Sequence, residues 1–236
     1  MNSKSISGKE YRIIAVAAAI SIAPLISCKP RESTDQGGRQ SAEFLDSSQA
    51  TALALGQWDT LNSTYLNRFF GLIRINLPRR WEPRLGTADY ELIDAPPGVS
   101  VGPEHFNYVH LLRAVGMETF TSGTDQFQLL VEVRRVRTGL SEQDVISSCH
   151  TQILQSLSRR CFLVDGPFRR SPEKLKERTY AVYDLRGRWS GGWLCTQVYH
   201  TRIKNHVVSV SWVFSYPDES YYVHELMLDY VQISDE

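Results

Sequence analysis

Long hydrophobic runs are what this chain lacks most. Its one extended apolar stretch, Ile13 to Ile26, reaches only about 21 Å as a helix, short of the ~30 Å hydrocarbon core of a bilayer. Nothing after Ile26 is long or apolar enough to cross a membrane as a helix. Net charge is missing as well. The 26 Lys and Arg balance 26 Asp and Glu, which excludes the sustained positive surface that nucleic-acid binding needs. The familiar local signatures of chemistry are also absent. There is no H-x-H or H-E-x-x-H, no C-x-x-C-H, no phosphate loop and no dinucleotide fingerprint, and the G-x-S-x-G spacing at Gly98 to Gly102 falls in the loop-like stretch Asp94 to Gly102 rather than at a strand-to-helix elbow. The expectation is therefore no catalytic residue, no cofactor and no metal site.

What is present begins at the N-terminus. Lys4, Lys9 and Arg12 precede the Ile13 to Ile26 run, which has the length of a signal-peptide h-region. The run closes on Leu25-Ile26-Ser27-Cys28, which resembles a bacterial lipobox, where cleavage precedes the cysteine and its thiol takes a diacylglycerol. Residues 1–27 then read as a lipoprotein signal peptide and Cys28 as the lipidation site. Lys29 follows the cysteine, whereas the inner-membrane retention signal of enteric bacteria is an aspartate. The expected location is the bacterial envelope, at the outer membrane or cell surface.

Residues 28–57 are expected to be a tether. Lys29 to Gly38 is charged, Gly-rich and free of aromatics, and Ser41 to Leu55 has only a weak helical pattern. The folded domain is expected over 58–236. Phe70 to Leu77 alternates up to Pro78, and Phe127, Leu129, Val131 and Val133 form the clearest inward row, with Glu132 and Arg134 opposite. Ser141, with Asp144 three residues on, opens a helix. Its stripe of Val145, Ile146, Cys149, Ile153, Leu154 and Leu157 is expected to cover the Phe127 row, with His150 on the helix flank. Three strands follow, Arg178 to Leu185, Trp193 to Ile203 and His206 to Phe214, the last two joined at Lys204-Asn205. A last helix begins after Pro217-Asp218-Glu219. Tight turns make the strands antiparallel, and amphipathic helices are available as cover, so the fold class is α+β.

At this point the chain resembles the Mog1/PsbP-like family. The resemblance lies in Tyr65-x-Asn67, the strand ending in Leu77-Pro78 and then Trp81, the following strand and helix, the meander, and a final helix closing near Val231 to Ile233. Arg79-Arg80 stand where that family has a small residue before the tryptophan. The resemblance implies an α/β/α sandwich, one antiparallel sheet covered by helices, serving as a non-enzymatic binding or assembly module for other proteins.

The remaining candidates are few. Arginine outnumbers lysine by 20 to 6, with doublets such as Arg159-Arg160 and Arg169-Arg170. These are suited to gripping phosphate or carboxylate, or to ordinary solvated strand ends. Cys161 and Cys195 fall on strands and are the pair expected to form any disulfide. Trp189 and Trp193 offer an aromatic platform for glycan or peptide. Ser190 between them reads as a turn residue rather than a nucleophile, and His200 and His206 as a cross-strand pair. Asp184, His200 and Ser211 lie on successive strands, but alternation counted from Trp193 keeps them from converging. The function expected is a membrane-anchored lipoprotein that binds an envelope or extracellular protein. The alternatives are a binder of a small amphiphile or glycan, and an unrecognised hydrolase.

Overall fold

Alternating apolar residues give strands throughout, and the computed structural model shows how they pair. It describes residues 47–86, 90–92, 99–120, 123–215 and 220–235. Cys28 and the expected signal peptide, residues 1–27, lie outside the described residues. A helix, α1 (Ser47–Leu55), comes first, followed by β1 (Gln57–Asp59), β2 (Thr64–Asn67), β3 (Leu72–Asn76), β4 (Glu82–Leu85) and β5 (Tyr90–Leu92). Two long strands follow, β6 (Phe106–Phe120) and β7 (Gly123–Arg135), and then α2 (Glu142–Ser158). The remaining elements are β8 (Leu163–Arg169), β9 (Glu173–Leu175), β10 (Arg178–Trp189), β11 (Gly192–Ile203), β12 (His206–Phe214), α3 (Ser220–Tyr230) and β13 (Val231–Ser234).

These strands build two antiparallel sheets. The small one runs β1-β2-β3-β13, and the large one runs β4-β6-β7-β12-β11-β10-β8, with β5 also on β6 and β9 also on β10. The expected α+β class, an α/β/α sandwich with one antiparallel sheet covered by helices, is therefore corrected: the described residues are mostly strand, in two antiparallel sheets, with three α-helices. The main core lies between two sheets: Ile73, Ile75 and Ile233 of the small sheet share it with Phe127, Leu129, Val131, Val208, Val210 and Trp212 of the large one. Strands made the second layer because the segment ends Gln57–Asn76 and Val231–Ser234 pair with each other rather than joining the large sheet. α1 and α3 only supplement that layer, placing Ala50, Ala54, Val223 and Met227 in the same core. Because Ala50 and Ala54 are fully buried, the fold already includes the segment before Trp58 that reads as tether.

One further expectation changes sides. The Phe127 to Val133 row is buried as expected, but against the small sheet, not under the helix. α2 lies on the opposite face of the large sheet, over a second apolar cluster of Tyr183, Leu185, Val198 and Val207. Since β7 side chains alternate, the face α2 covers is the one carrying Gln128, Leu130, Glu132 and Arg134. α2 starts as its sequence dictates: the Ser141 hydroxyl accepts from the Asp144 amide, and the Asp144 carboxylate accepts from the Ser141 amide at 2.7 Å.

Trp81 shows how Arg80 fits between Pro78 and the indole. Glu118 accepts from the Trp81 indole at 2.7 Å and from the Tyr230 hydroxyl at 3.0 Å, and it pairs with Arg80. The indole lies directly on Gly116, where any Cβ would collide with the ring. Two substitutions test this architecture by denaturant titration. Leu129→Ala opens a cavity in the intersheet core and should cost ~2–5 kcal/mol. Gly116→Ala should also destabilise by ~1–3 kcal/mol through overpacking; an unchanged midpoint for both would refute the packing described.

Candidate functional site

The face under α2 is where polar chemistry collects. A cleft of about 290 Å³ opens between α2 and strands β6, β7, β12 and β11. One wall is apolar, made by Leu130, Ile153, Leu157, Leu194 and Val213; the other carries His110, Arg113, Gln128, Arg134, Gln152 and Arg160. A bulge in β6 makes this possible. His110 pairs with Glu132 and Leu112 with Val131, so Leu111 is the extra residue. Plain alternation would put Arg113 on the face of Val109. The bulge sends it to the cleft beside His110 instead.

At the inner end of the cleft the charges cancel. Glu132 accepts from the Tyr108 hydroxyl at 2.8 Å and pairs with Arg134 at 3.1 Å. Arg134 also donates to the Gln152 side chain at 2.6 Å, and its guanidinium lies 4.6 Å from the centre of the Tyr108 ring. A buried arginine so paired is tolerated because its charge meets an opposite one in good geometry.

Beside this pair runs an imidazole chain. His150 Nε2 of α2 lies 3.0 Å from His200 Nε2 of β11, and His200 Nδ1 lies 2.8 Å from Ser209 Oγ of β12. Two facing ring nitrogens bond only if one carries a proton and the other does not, so at most one of the two rings is charged. Burial lowers His150 to a pKa of about 4. Burial, then the His150 and Arg134 charges, lowers His200 to about 3. Cys149 is held up at about 12, first by burial and then by Glu132, which makes it a poor nucleophile.

A second feature lies on the other face, along the β8 edge. Gly166, at φ +110, forms the bulge that shifts the β8–β10 register between Asp184 and Arg186. Leu163, Asp165 and Phe168 therefore share one face with Arg186 and Arg188. The Arg186 guanidinium stands 5.1 Å from the Phe168 ring centre and 5.6 Å from that of Trp193, and Arg188 stands 5.6 Å from Trp193. Phe162, Leu163, Phe168 and Trp189 are all exposed along this edge. The result is an aromatic–arginine ladder beside an open strand.

The residues singled out from sequence separate accordingly. Trp189 and Trp193 do not form one platform: Trp193 is paired with Arg188 and Trp189 with Gly192, so they point to opposite faces. His200 and His206 part in the same way, and His206 reaches the Pro103 carbonyl at 3.1 Å while its ring meets Phe70. His150 is buried rather than on a flank. His200 and Ser211 share the α2 face, but Asp184 lies on the other, donated to by Gln197 at 3.0 Å. The expected Cys161–Cys195 disulfide is corrected. Cys161 Sγ lies over Gly187 on the α2 face, whereas Cys195 is paired with Arg186 and enters the intersheet core, so the sheet stands between them. Sequence reasoning missed Phe168, Arg113 and the His150–His200 contact. Both bulges displace alternation, and the third depends on how α2 is rotated.

No family model matches this chain, and no curated protein matches it either. Among solved structures it is similar to LpqN of Mycobacterium tuberculosis, described as involved in cell envelope biogenesis. The two are 10% identical with a TM-score of 0.30, over 65% of this chain and 76% of that one.

The imidazole chain sets a pH dependence. The unfolded chain takes up protons near pH 6.5, but the folded pair resists protonation down to about 4 and about 3. Stability is thus full above pH ~6.5 and falls as pH drops below it, by up to ~1.4 kcal/mol per pH unit for each histidine. His200→Gln should roughly halve that slope between pH 6 and 4, read from urea midpoints; an unaltered slope would remove the pair as its source.

Proposed function

We propose that this chain is a lipid-anchored, non-catalytic envelope protein that docks an extended segment of another envelope protein along β8. The observation that carries the reading is the ladder of Phe168, Arg186, Trp193 and Arg188 beside exposed Phe162 and Leu163. Aromatic residues and arginine are the side chains that dominate binding energy at protein interfaces. Among the described residues β8 is bonded on one side only, to β10, which leaves its outer N–H and C=O groups for strand addition. Arg186 pairs with Asp165 at 3.4 Å and Arg170 with Asp184 at 3.9 Å, which leaves Arg188 as a surplus cation on this face and favours a partner segment carrying an acidic residue.

Anchoring rests on Lys4, Lys9, Arg12, the Ile13 to Ile26 run and Cys28. Two or more acyl chains on one cysteine give durable membrane attachment where a single chain is marginal. The non-catalytic reading is supported by the separation of Asp184 from His200 and Ser211, and by the raised Cys149 thiol.

The test places a photocrosslinking residue at Phe168 in the full-length chain in its own membranes, with Tyr221, exposed on α3, as control. A discrete adduct from Phe168 alone is expected. Against the purified partner, Arg186→Ala and Trp193→Ala should each weaken binding about 30-fold, the scale of an interface hot spot of ~2 kcal/mol. Cys28→Ser should leave an unprocessed precursor. Equal crosslinking from both positions, or normal processing of Cys28→Ser to a soluble form, would overturn the reading.

A further inference from the structure

The mouth of the α2 cleft holds a charge that the fold leaves unbalanced. Arg84 of β4 and Arg113 of β6 are directly paired across the strands, so both lie on the α2 face. Arg160, just past the end of α2, lines the same cleft as Arg113. Among the described residues none of the three makes an ion pair; Arg113 only reaches the Gln128 side-chain oxygen at 3.4 Å. The cleft's one carboxylate, Glu132, is already engaged by Arg134 and Tyr108. Glu82 lies on the face of Arg84, two residues back, and is exposed. Like charges directly opposite on neighbouring strands destabilise a sheet. Burial, then the Arg84 and Arg160 charges, lowers the Arg113 pKa.

We propose that this cleft binds a small ligand bearing a phosphate group, gripped by Arg113 and Arg160 at the mouth and steered by Arg84. Guanidinium forks match phosphate oxygens in pairs, and a dianion neutralises the surplus that the protein does not neutralise itself. The volume of about 290 Å³ lies at the small end of ligand pockets, enough for one headgroup. Leu130, Ile153, Leu157, Leu194 and Val213 supply an apolar wall for the rest of the ligand. Gln128 and Gln152 supply neutral polar groups for its hydroxyls. The site lies on the opposite sheet face from the β8 ladder and stands whether or not a protein docks there.

The experiment is calorimetric titration of the full mature chain in detergent with glucose 6-phosphate, with glucose as the neutral control, and with dihexanoyl phosphatidate. Saturable binding of a phosphate-bearing probe and none of glucose is expected. Tighter binding of phosphatidate assigns a lipid headgroup, and tighter binding of glucose 6-phosphate a soluble ester. Arg113→Gln should weaken binding at least tenfold and Arg160→Gln at least threefold. Arg113→Lys should restore little, because an ammonium lacks the fork. Arg113→Gln should also leave the unfolding midpoint unchanged or raised, since it relieves repulsion that only a ligand offsets. Failure of both phosphate-bearing probes to bind, equal binding of glucose, or full affinity in Arg113→Gln would overturn the proposal. A lowered unfolding midpoint for that variant would do so too, by showing that Arg113 serves the fold.

Discussion

The structure turns on β12, a strand buried on both faces along nearly its whole length. His206, Val208, Val210, Trp212 and Phe214 face one way and Val207, Ser209, Ser211 and Val213 the other. Two-sided burial demands two covers, and the two faces ask for different ones. The first row is apolar with a large indole, and a second sheet meets it with Ile73, Ile75 and Ile233. The second row carries two hydroxyls, and a buried hydroxyl needs a partner. The cover on that side therefore has to bring polar groups of its own. Ser209 is met by His200 of β11 at 2.8 Å, and α2 backs that imidazole with His150 and the neighbouring Arg134 with Gln152, beside Val145 and Ile146.

That requirement explains why the layer under α2 is rigid at its inner end and unfinished at its mouth. Inside, the charges are matched, Glu132 by Arg134 and Arg134 by Glu132 and Gln152, and the neutral His200 ring has His150 and Ser209 as partners. Removing one member strands the others in a low-dielectric layer, where an unpaired charge costs several kcal/mol. At the mouth, no carboxylate among the described residues pairs with Arg113 or Arg160. The inner network fixes the floor on which the outer guanidiniums stand, so they can be positioned by the fold without being neutralised by it.

Much of this was legible residue by residue, and the part that was not has physical causes. The capping of α2 at Ser141, the Lys204-Asn205 turn and the burial of the Phe127 to Val133 row follow from local spacing and are found as the spacing dictates. What covers each row does not follow from spacing, because alternation says only that a face is buried. The Phe127 row met strands rather than α2. The helix instead took the face of Glu132 and Arg134, which on hydropathy reads as solvent-facing. Leu111 and the Gly166 bulge then shifted parity within single strands, turning Arg113 and Phe168 to faces that counting assigns otherwise. The Cys161–Cys195 expectation failed for a related reason. Being on nearby strands sets distance along the sheet, but the face decides whether two sulfurs can meet.

Strand β11 carries residues to both candidate surfaces. Trp193 joins the arginine ladder, while Leu194 and Thr196, on the opposite face, line the cleft. Adjacency of this kind invites the idea that occupation of one surface informs the other. Coupling, however, requires an element with two arrangements that both sites bias. β11 is hydrogen-bonded to β10 on one side and β12 on the other over most of its length. Any slip by one residue would exchange its cleft-facing and core-facing side chains wholesale. The strand thus has a single register to offer, so the proposed docking along β8 and the proposed anion binding under α2 would be separate equilibria on one scaffold.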